Sequence, residues 1–193
     1  MKCTFILLLL LQSIFSTGQK SYKIYKTYWR IEKPKNYIFR IDNFDSASER
    51  GDKFINKNYD LGKQSNDDKI LFSAGRKDSL DVNMILGSYK NNSNIVKFTL
   101  KGYVDKLAAF FESGYKKQGA EIKLTIKTQT ISNEKFYVIE NKIYFKEKNY
   151  TYWTTMYIAE IDNKEFNIMA TYDNEQDKKE IENSILKSKF VSE

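Results

Sequence analysis

Carboxylates are the groups of this chain that could do acid–base chemistry, because the 193-residue sequence has 25 acidic residues and no histidine. Two carboxylates in one cleft are the catalytic unit of most glycoside hydrolases. The acidic residues cluster as Asp67-Asp68, Glu160 with Asp162, and Asp173 with Glu175 and Asp177. These clusters fall in predicted turns and at a predicted helix start, where carboxylates are ordinarily solvated. We therefore expect no catalytic residue and keep a carboxylate-dependent hydrolase of envelope glycans as the alternative.

Nucleophilic and metal-binding chemistry have little support in the residue types. Histidine, the commonest metal ligand, is absent. Ser184 and Lys187 have the spacing of an S-x-x-K nucleophile motif, but the companion K-T-G motif is missing from the sequence. The polar run 56–67 resembles a calcium loop, yet Gly62 stands seventh in it, and the loop needs glycine sixth. We expect no cofactor and no metal.

The aromatic residues between positions 150 and 157 form the segment for which the sequence predicts recognition. They are Tyr150, Tyr152, Trp153 and Tyr157. In a strand, alternation sends Tyr150 and Tyr152 to one face and Trp153 and Tyr157 to the other. Tyr and Trp combine stacking area with a polar group, which suits sugar rings and protein partners. If helices cover one side of the sheet only, one of these sets is an exposed ligand or partner face. The alternative is that both sets are sheet architecture.

The first 18 residues have the layout of a secretory signal peptide. A basic start is followed by the unbroken apolar run 5–11 and by the small residues Ser-Thr-Gly at 16–18. We expect cleavage between Gly18 and Gln19. The apolar run is shorter than the roughly 20 residues that a membrane span needs. Cys3 lies before this run and not at the cleavage point, so we expect an unlipidated protein in the periplasm or outside the cell.

The charge pattern bears on the class of partner. The formal net charge is +7, and basic residues are spread along the chain among acidic ones. Nucleic-acid binding favours a basic stripe interleaved with stacking aromatics, and export also argues against it. We expect a monomer without a nucleic-acid partner and without a membrane-spanning segment. Its mildly cationic surface suits anionic envelope material or a protein partner.

Hydrophobic periodicity predicts the elements that position these residues. Apolar residues at helical spacing predict a long helix over 101–118, with Leu107 and Phe111 facing inward. Alternating and β-branched runs predict strands over 28–31, 36–41, 69–74, 80–89, 121–131, 135–146, 150–161 and 165–172. Short turn signals separate the last four strands, which indicates an antiparallel β-meander.

The two ends of the chain complete the predicted organisation. Asp173, followed three residues later by Gln176 as in a capping box, predicts the start of a last helix. The residues predicted to face inward on it are Ile181, Ile185 and Leu186. Residues 19–27 are basic and poor in apolar side chains, so we expect a flexible arm before a single domain over 28–191. The element order predicts an α+β fold, a mainly antiparallel sheet packed with two helices.

The order of elements and two sequence segments resemble the PsbP-like superfamily. Residues 29–37, WRIEKPKNY, are similar to the opening strand and "P-x-x-Y/W" turn of that family. The last strand of that family is similar to residues 166–171, FNIMAT. Its closing helix is similar to residues 181–190, IENSILKSKF. The superfamily includes photosystem accessory subunits, a Ran-binding nuclear transport factor and small exported bacterial proteins. The resemblance implies an α/β/α sandwich whose known members are mostly non-catalytic binding or assembly factors.

The sequence therefore predicts an exported, non-enzymatic binding or accessory domain of the cell envelope. Besides the glycan hydrolase, one further alternative is an immunity-type or structural partner of another secreted protein. A hydrolase needs two carboxylates that converge in one pocket. A binding domain needs an exposed apolar or aromatic patch.

Overall fold

The computed structural model describes residues 19–40, 69–76, 82–91 and 99–193. The strands in these ranges are β1 (Gln19–Ile24), β2 (Thr27–Glu32), β3 (Tyr37–Phe39), β4 (Lys69–Arg76), β5 (Met84–Asn91), β6 (Ala120–Ile131), β7 (Glu134–Phe145), β8 (Tyr150–Ile161), β9 (Lys164–Tyr172) and β10 (Lys189–Ser192). The helices are α1 (Leu100–Lys117) and α2 (Glu175–Leu186), and a short 3₁₀ turn joins β7 to β8. The predicted signal peptide and the calcium-like run with Asp67-Asp68 lie outside the described residues.

Seven strands form one antiparallel sheet in the order β3-β4-β5-β9-β8-β7-β6. Consecutive hairpins connect β6 to β9. Two of the hairpin turns are the residue pairs Ser132-Asn133 and Asp162-Asn163, and all four residues have positive φ. Such turns match the twist of the strands that they join, and Asn and Asp tolerate this backbone conformation. The predicted β-meander is confirmed.

A second, three-stranded sheet has the order β1-β2-β10. The flexible arm predicted for residues 19–27 is therefore wrong, because β1 pairs with β2 from Gln19 to Ile24. The physical reason is that two side chains between the lysines of this segment, Tyr22 and Ile24, pack into the protein. Ile24 is fully buried, and the Tyr22 ring lies 5.9 Å from the Trp29 ring, so both side chains anchor β1 to the core.

Helix α1 covers one face of the seven-stranded sheet. Its buried residues are Val104, Leu107 and Ala108. They pack with Ile139 of β7 and Ile158 of β8, and Phe111 is half-buried beside them. The Thr99 side chain caps the helix by accepting a hydrogen bond from the Gly102 N–H at 3.2 Å. The inward face predicted for this helix, with Leu107 and Phe111, is confirmed.

Helix α2 and the small sheet together cover the opposite face. Trp29 of β2 has no exposed surface, and its ring lies 5.1 Å from Phe166 of β9 and 5.7 Å from Phe72 of β4. Phe190 stacks against Trp29 from β10, a strand that the periodicity does not predict. The large sheet is therefore covered on both faces, with a helix on each.

The beginning and the exposed side of α2 differ from the prediction. Asn174 caps the helix, because its side chain accepts the Asp177 N–H at 2.9 Å, whereas the Asp173 carboxylate accepts a hydrogen bond from Asn83 at 3.0 Å. Ile181 and Ile185 are buried as expected. Leu186 is 46% exposed, so its predicted inward orientation is wrong. One residue is about 100° of helical rotation, which turns Leu186 away from the side that Ile185 buries.

Gly87 is expected to be essential for the packing of the two sheets. A Cβ atom at this position would lie 2.4 Å from Cζ3 of Trp29, well inside contact distance. Gly87→Ala should therefore lower the free energy of unfolding by about 1–3 kcal/mol, as overpacked cores do. The measurement is chemical denaturation.

A double-mutant cycle supplies the control for this substitution. Trp29→Phe removes the six-membered ring that the new methyl group would strike, so the double variant should lose less stability than the sum of the two single losses. Additive losses would show that the contact between Gly87 and Trp29 is not the constraint.

Candidate functional site

The acidic residues of α2 serve the fold. Asp177 is 2% exposed, and its carboxylate accepts hydrogen bonds from the Tyr37 hydroxyl at 2.9 Å and from the Arg76 guanidinium at 2.6 Å. Burial, with the Asp177 carboxylate second, raises the pKa of Tyr37 far above its usual value. These contacts attach the first turn of α2 to β3 and β4. Asp177 is therefore held as a structural anion in the core.

The other predicted carboxylates lie apart from that anion. Glu160 is exposed on β8. Asp162 stands in the turn after β8 and accepts the backbone N–H of Lys26 at 3.0 Å, which connects the turn of the β1–β2 hairpin to the large sheet. Glu175 is exposed at the start of α2. Of these four described carboxylates only Asp177 is buried, and it is held in the ion pair with Arg76.

The serine of the S-x-x-K spacing also has a structural role. Ser184 is buried, and its hydroxyl donates a hydrogen bond to the backbone carbonyl of Glu32. This bond connects α2 to the end of β2. The serine of the S-x-x-K spacing therefore holds two elements of the fold together.

A buried ion pair joins β5, β9 and α1 at another point of the fold. Lys90 Nζ lies 2.9 Å from Glu165 Oε1 and 3.3 Å from the Tyr103 hydroxyl, and Asn167 also donates to Glu165 Oε1 at 2.8 Å. Burial, and secondarily the Glu165 charge, raises the pKa of Tyr103 to about 12. The contacts among Lys90, Glu165 and Tyr103 therefore connect the start of α1 to the sheet.

The aromatic segment of β8 divides between the two faces of the sheet. On the α1 side, the Tyr152 ring lies 5.9 Å from Tyr150, 6.2 Å from Phe145 and 6.3 Å from Tyr115. We call these four half-buried rings the aromatic cluster. Burial, aided by the hydrogen bond with Tyr115, raises the pKa of Tyr152 far above its usual value. The sequence prediction brings Tyr150 and Tyr152 together correctly but misses their two ring partners.

Trp153 and Tyr157 lie on the opposite side of the same strand. The half-buried Trp153 ring stacks on Tyr172 at 6.1 Å, and Lys142 Nζ lies 5.6 Å from the centre of its ring. Tyr157 is only 4% exposed and packs against Phe136, which is in the core. Tyr157 is therefore excluded from the predicted ligand face, because both sides of the sheet are covered at this strand.

A cleft lies where the end of β2 and the beginnings of β1 and β10 meet α2. Its volume is about 380 Å³. Its lining residues are Gln19, Glu32, Lys33, Pro34, Lys35, Glu180, Asn183, Ser184, Lys187 and Lys189. Because four of these side chains are lysines, we call it the lysine cleft. The Ser184–Glu32 hydrogen bond joins its two walls, and Pro34 is buried between Lys33 and Lys35.

The four lysines of the cleft form no ion pair in the described part of the chain, and the two carboxylates that also line it, Glu32 and Glu180, leave it with a formal charge of +2. Elsewhere, lysines are paired at short distances, such as Lys23 with Glu193 at 2.6 Å and Lys127 with Glu140 at 2.7 Å. Others lie over aromatic rings, such as Lys20 over Phe39 at 3.7 Å. Around the cleft, no described carboxylate lies within 4 Å of a lysine nitrogen. Unpaired ammonium groups that share one concave surface attract an anion.

Sequence reasoning missed this cleft because its lysines come from two distant segments. Lys33 and Lys35 flank Pro34, whereas Lys187 and Lys189 lie about 150 positions later. Pairing of β10 with β2, in which Lys189 lies opposite Arg30, brings the two segments together. The pattern that could have indicated the cleft is a pair of Lys-x-Lys triplets. One has Pro34 at its centre, and the other directly follows α2.

Comparison with known proteins concerns the whole chain. No protein-family model and no curated protein sequence matches it. Among solved structures, it is similar to the solution structure of cyanobacterial PsbP (CyanoP) from Synechocystis sp. PCC 6803. The TM-score is 0.52 at 8% sequence identity, over 93% of this chain and 95% of that chain. The chain has a PsbP-like fold.

The PsbP-like fold confirms the resemblance seen in the sequence and the mainly antiparallel sheet with two helices. At 8% identity the similarity concerns the fold alone, so no site residue is transferred from the cyanobacterial protein. In the PsbP-like domain described here, neither α1 nor α2 has the length and apolarity required to cross a bilayer.

Substitutions on β8 should separate core from surface. Tyr157→Ala should lower the free energy of unfolding by about 3–5 kcal/mol, because it empties a filled core position. Tyr150→Ala should cost less than half of that, since the Tyr150 ring is only half-buried. Denaturation curves of the two variants provide the measurement, and equal losses would contradict the assignment of the two faces.

Alkaline titration should report the burial of Tyr103. The folded protein holds this proton more tightly than the unfolded chain, whose tyrosine pKa is about 10. The resulting stability is fully present below pH about 10 and is lost as the pH rises towards about 12. Tyr103→Phe should therefore make the free energy of unfolding fall less steeply across this window. Parallel pH profiles of the two proteins would contradict the prediction.

Proposed function

We propose that this protein is an exported, non-enzymatic binding domain that holds an acidic glycan of the cell envelope in the lysine cleft. The observation that carries the proposal is the presence of four unpaired lysines around one cleft of about 380 Å³. Lysine is a compact, flexible cation with three donors, which suits carboxylate or phosphate groups along a polymer. The leader-like first 18 residues support export to the compartment where such polymers occur.

The polar side chains between the lysines support a sugar-bearing anion in preference to a simple ion. The Asn183 carboxamide is exposed in the cleft, and Gln19 supplies a second carboxamide from β1. Amides both donate and accept hydrogen bonds, which suits the hydroxyl groups of sugars. A cleft of this volume also accommodates more than one small anion, as expected for a segment of polymer.

The experiment measures binding of the exported protein to two acidic glycans, polygalacturonate and wall teichoic acid, with dextran as the neutral glycan. Lys33→Ala combined with Lys187→Ala should weaken binding about tenfold or more, because two charge-assisted contacts are lost. Binding by the wild-type protein should also weaken as salt is added.

Matched control variants replace lysines that lie outside the cleft. Lys123→Ala on β6 and Lys146→Ala in the 3₁₀ turn between β7 and β8 remove the same total charge from exposed positions. They should leave affinity within about twofold, as expected for distant exposed charges at moderate salt. Equal losses in both pairs would reduce the effect to net charge and overturn the assignment to the cleft. Binding of carboxylated but not phosphorylated polymer, or the reverse, identifies the anion.

A glycan hydrolase is the second candidate, because Glu32 and Glu180 both line the lysine cleft. In glycosidases, burial keeps the acid protonated at neutral pH. Glu32 is exposed, and Glu180 accepts a hydrogen bond from Gln176 at 2.7 Å on the helix surface. This environment favours binding over hydrolysis. Release of reducing ends from polygalacturonate, lost in Glu180→Gln, would replace the binding proposal with the hydrolase.

A further inference from the structure

Gln19 is part of the wall of the lysine cleft. It is the first residue of β1 and pairs with Glu32, the last residue of β2. Its side chain is exposed, and it lines the cleft together with Lys33, Lys187 and Lys189. The residue that begins the small sheet therefore also belongs to the proposed binding site.

The signal-peptide pattern places the expected cleavage between Gly18 and this same residue. Cleavage there changes the Gln19 nitrogen from a neutral amide into an α-amino group. Such a group has a pKa of about 7.7–8.0 and is mostly protonated at neutral pH. We infer that export processing completes the lysine cleft, by adding the Gln19 ammonium group to the lysines that bind the anion. This inference rests on the proposed function.

Because residue 19 is a glutamine, the site can exist in a second chemical form after cleavage. In an N-terminal glutamine, the α-amino nitrogen can attack the side-chain carbonyl carbon, and ammonia leaves as the ring amide forms. This reaction needs no oxidant or reductant. The pyroglutamyl product has no charge at its nitrogen. The free-amine form therefore binds the acidic glycan more tightly, and cyclisation weakens the site.

The experiment compares four exported proteins, each characterised by mass spectrometry and circular dichroism, for binding to the better of the two acidic glycans. The first is wild type with a free amine, and the second is the same protein cyclised by glutaminyl cyclase. The third is Gln19→Asn, which keeps the amine and a carboxamide but has a side chain one carbon too short to form the five-membered ring. The fourth has Ser-Gly inserted before Gln19, which moves the amine two residues away from β1.

The free-amine and Gln19→Asn proteins should bind with similar affinity, and the cyclised and extended proteins about tenfold more weakly, because one charge-assisted contact is lost. Equal binding by all four would overturn the inference. So would an exported chain that begins at a residue other than Gln19.

Failure of this inference can be distinguished from failure of the proposed function. If Lys33→Ala with Lys187→Ala weakens binding while the four N-terminal forms are equal, the cleft binds the glycan without help from the N-terminus. If neither the lysines nor the N-terminal forms affect binding, both proposals fail. If cyclisation unfolds the protein, its circular dichroism spectrum shows this. Comparison of the Gln19→Asn and extended proteins then decides the inference.

Discussion

The burial of Trp29 between the two sheets is the interaction on which the rest of the structure depends. Its ring is enclosed by aromatic residues from four strands, and it lies against Gly87, the position in β5 where no side chain intervenes. This contact fixes β2 over the large sheet. Because β2 continues directly into Lys33 and Pro34, the position of Trp29 also sets one wall of the lysine cleft.

Helix α2 supplies the other wall, and it is attached at both ends by polar contacts that its sequence alone does not reveal. At the first turn, Asp177 accepts hydrogen bonds from Tyr37 and Arg76. Near the last turn, Ser184 donates to the carbonyl of Glu32. A buried carboxylate with donors from two strands leaves little freedom for the helix to shift, because separating it from them is costly. The cleft between α2 and β2 is accordingly a built feature of the fold and not a gap between loosely packed elements.

Local patterns predicted most of the fold. The β-meander followed from alternating residues and from short turns rich in Asn and Asp, and the inward face of α1 followed from helical spacing. Errors occurred where local and tertiary signals compete. Residues 19–27 include three lysines, yet Tyr22 and Ile24 pack β1 against the core beside Trp29. Capping by Asn174 instead of Asp173 depended on Asn83, which lies about 90 residues earlier and engages the Asp173 carboxylate.

Residue types and periodicity were enough to set the class of fold, the expected leader and the scarcity of nucleophilic and metal-binding chemistry. These properties depend on which residues are present and on their spacing within one element. Tertiary structure decided which aromatic rings meet, that Tyr157 is core, and that Lys33 and Lys35 share a cleft with Lys187 and Lys189. Such placements depend on pairing between β2 and β10, at the two ends of the domain. Charges far apart in the chain become neighbours only when strand pairing brings them together, so local sequence patterns carry no direct record of that proximity.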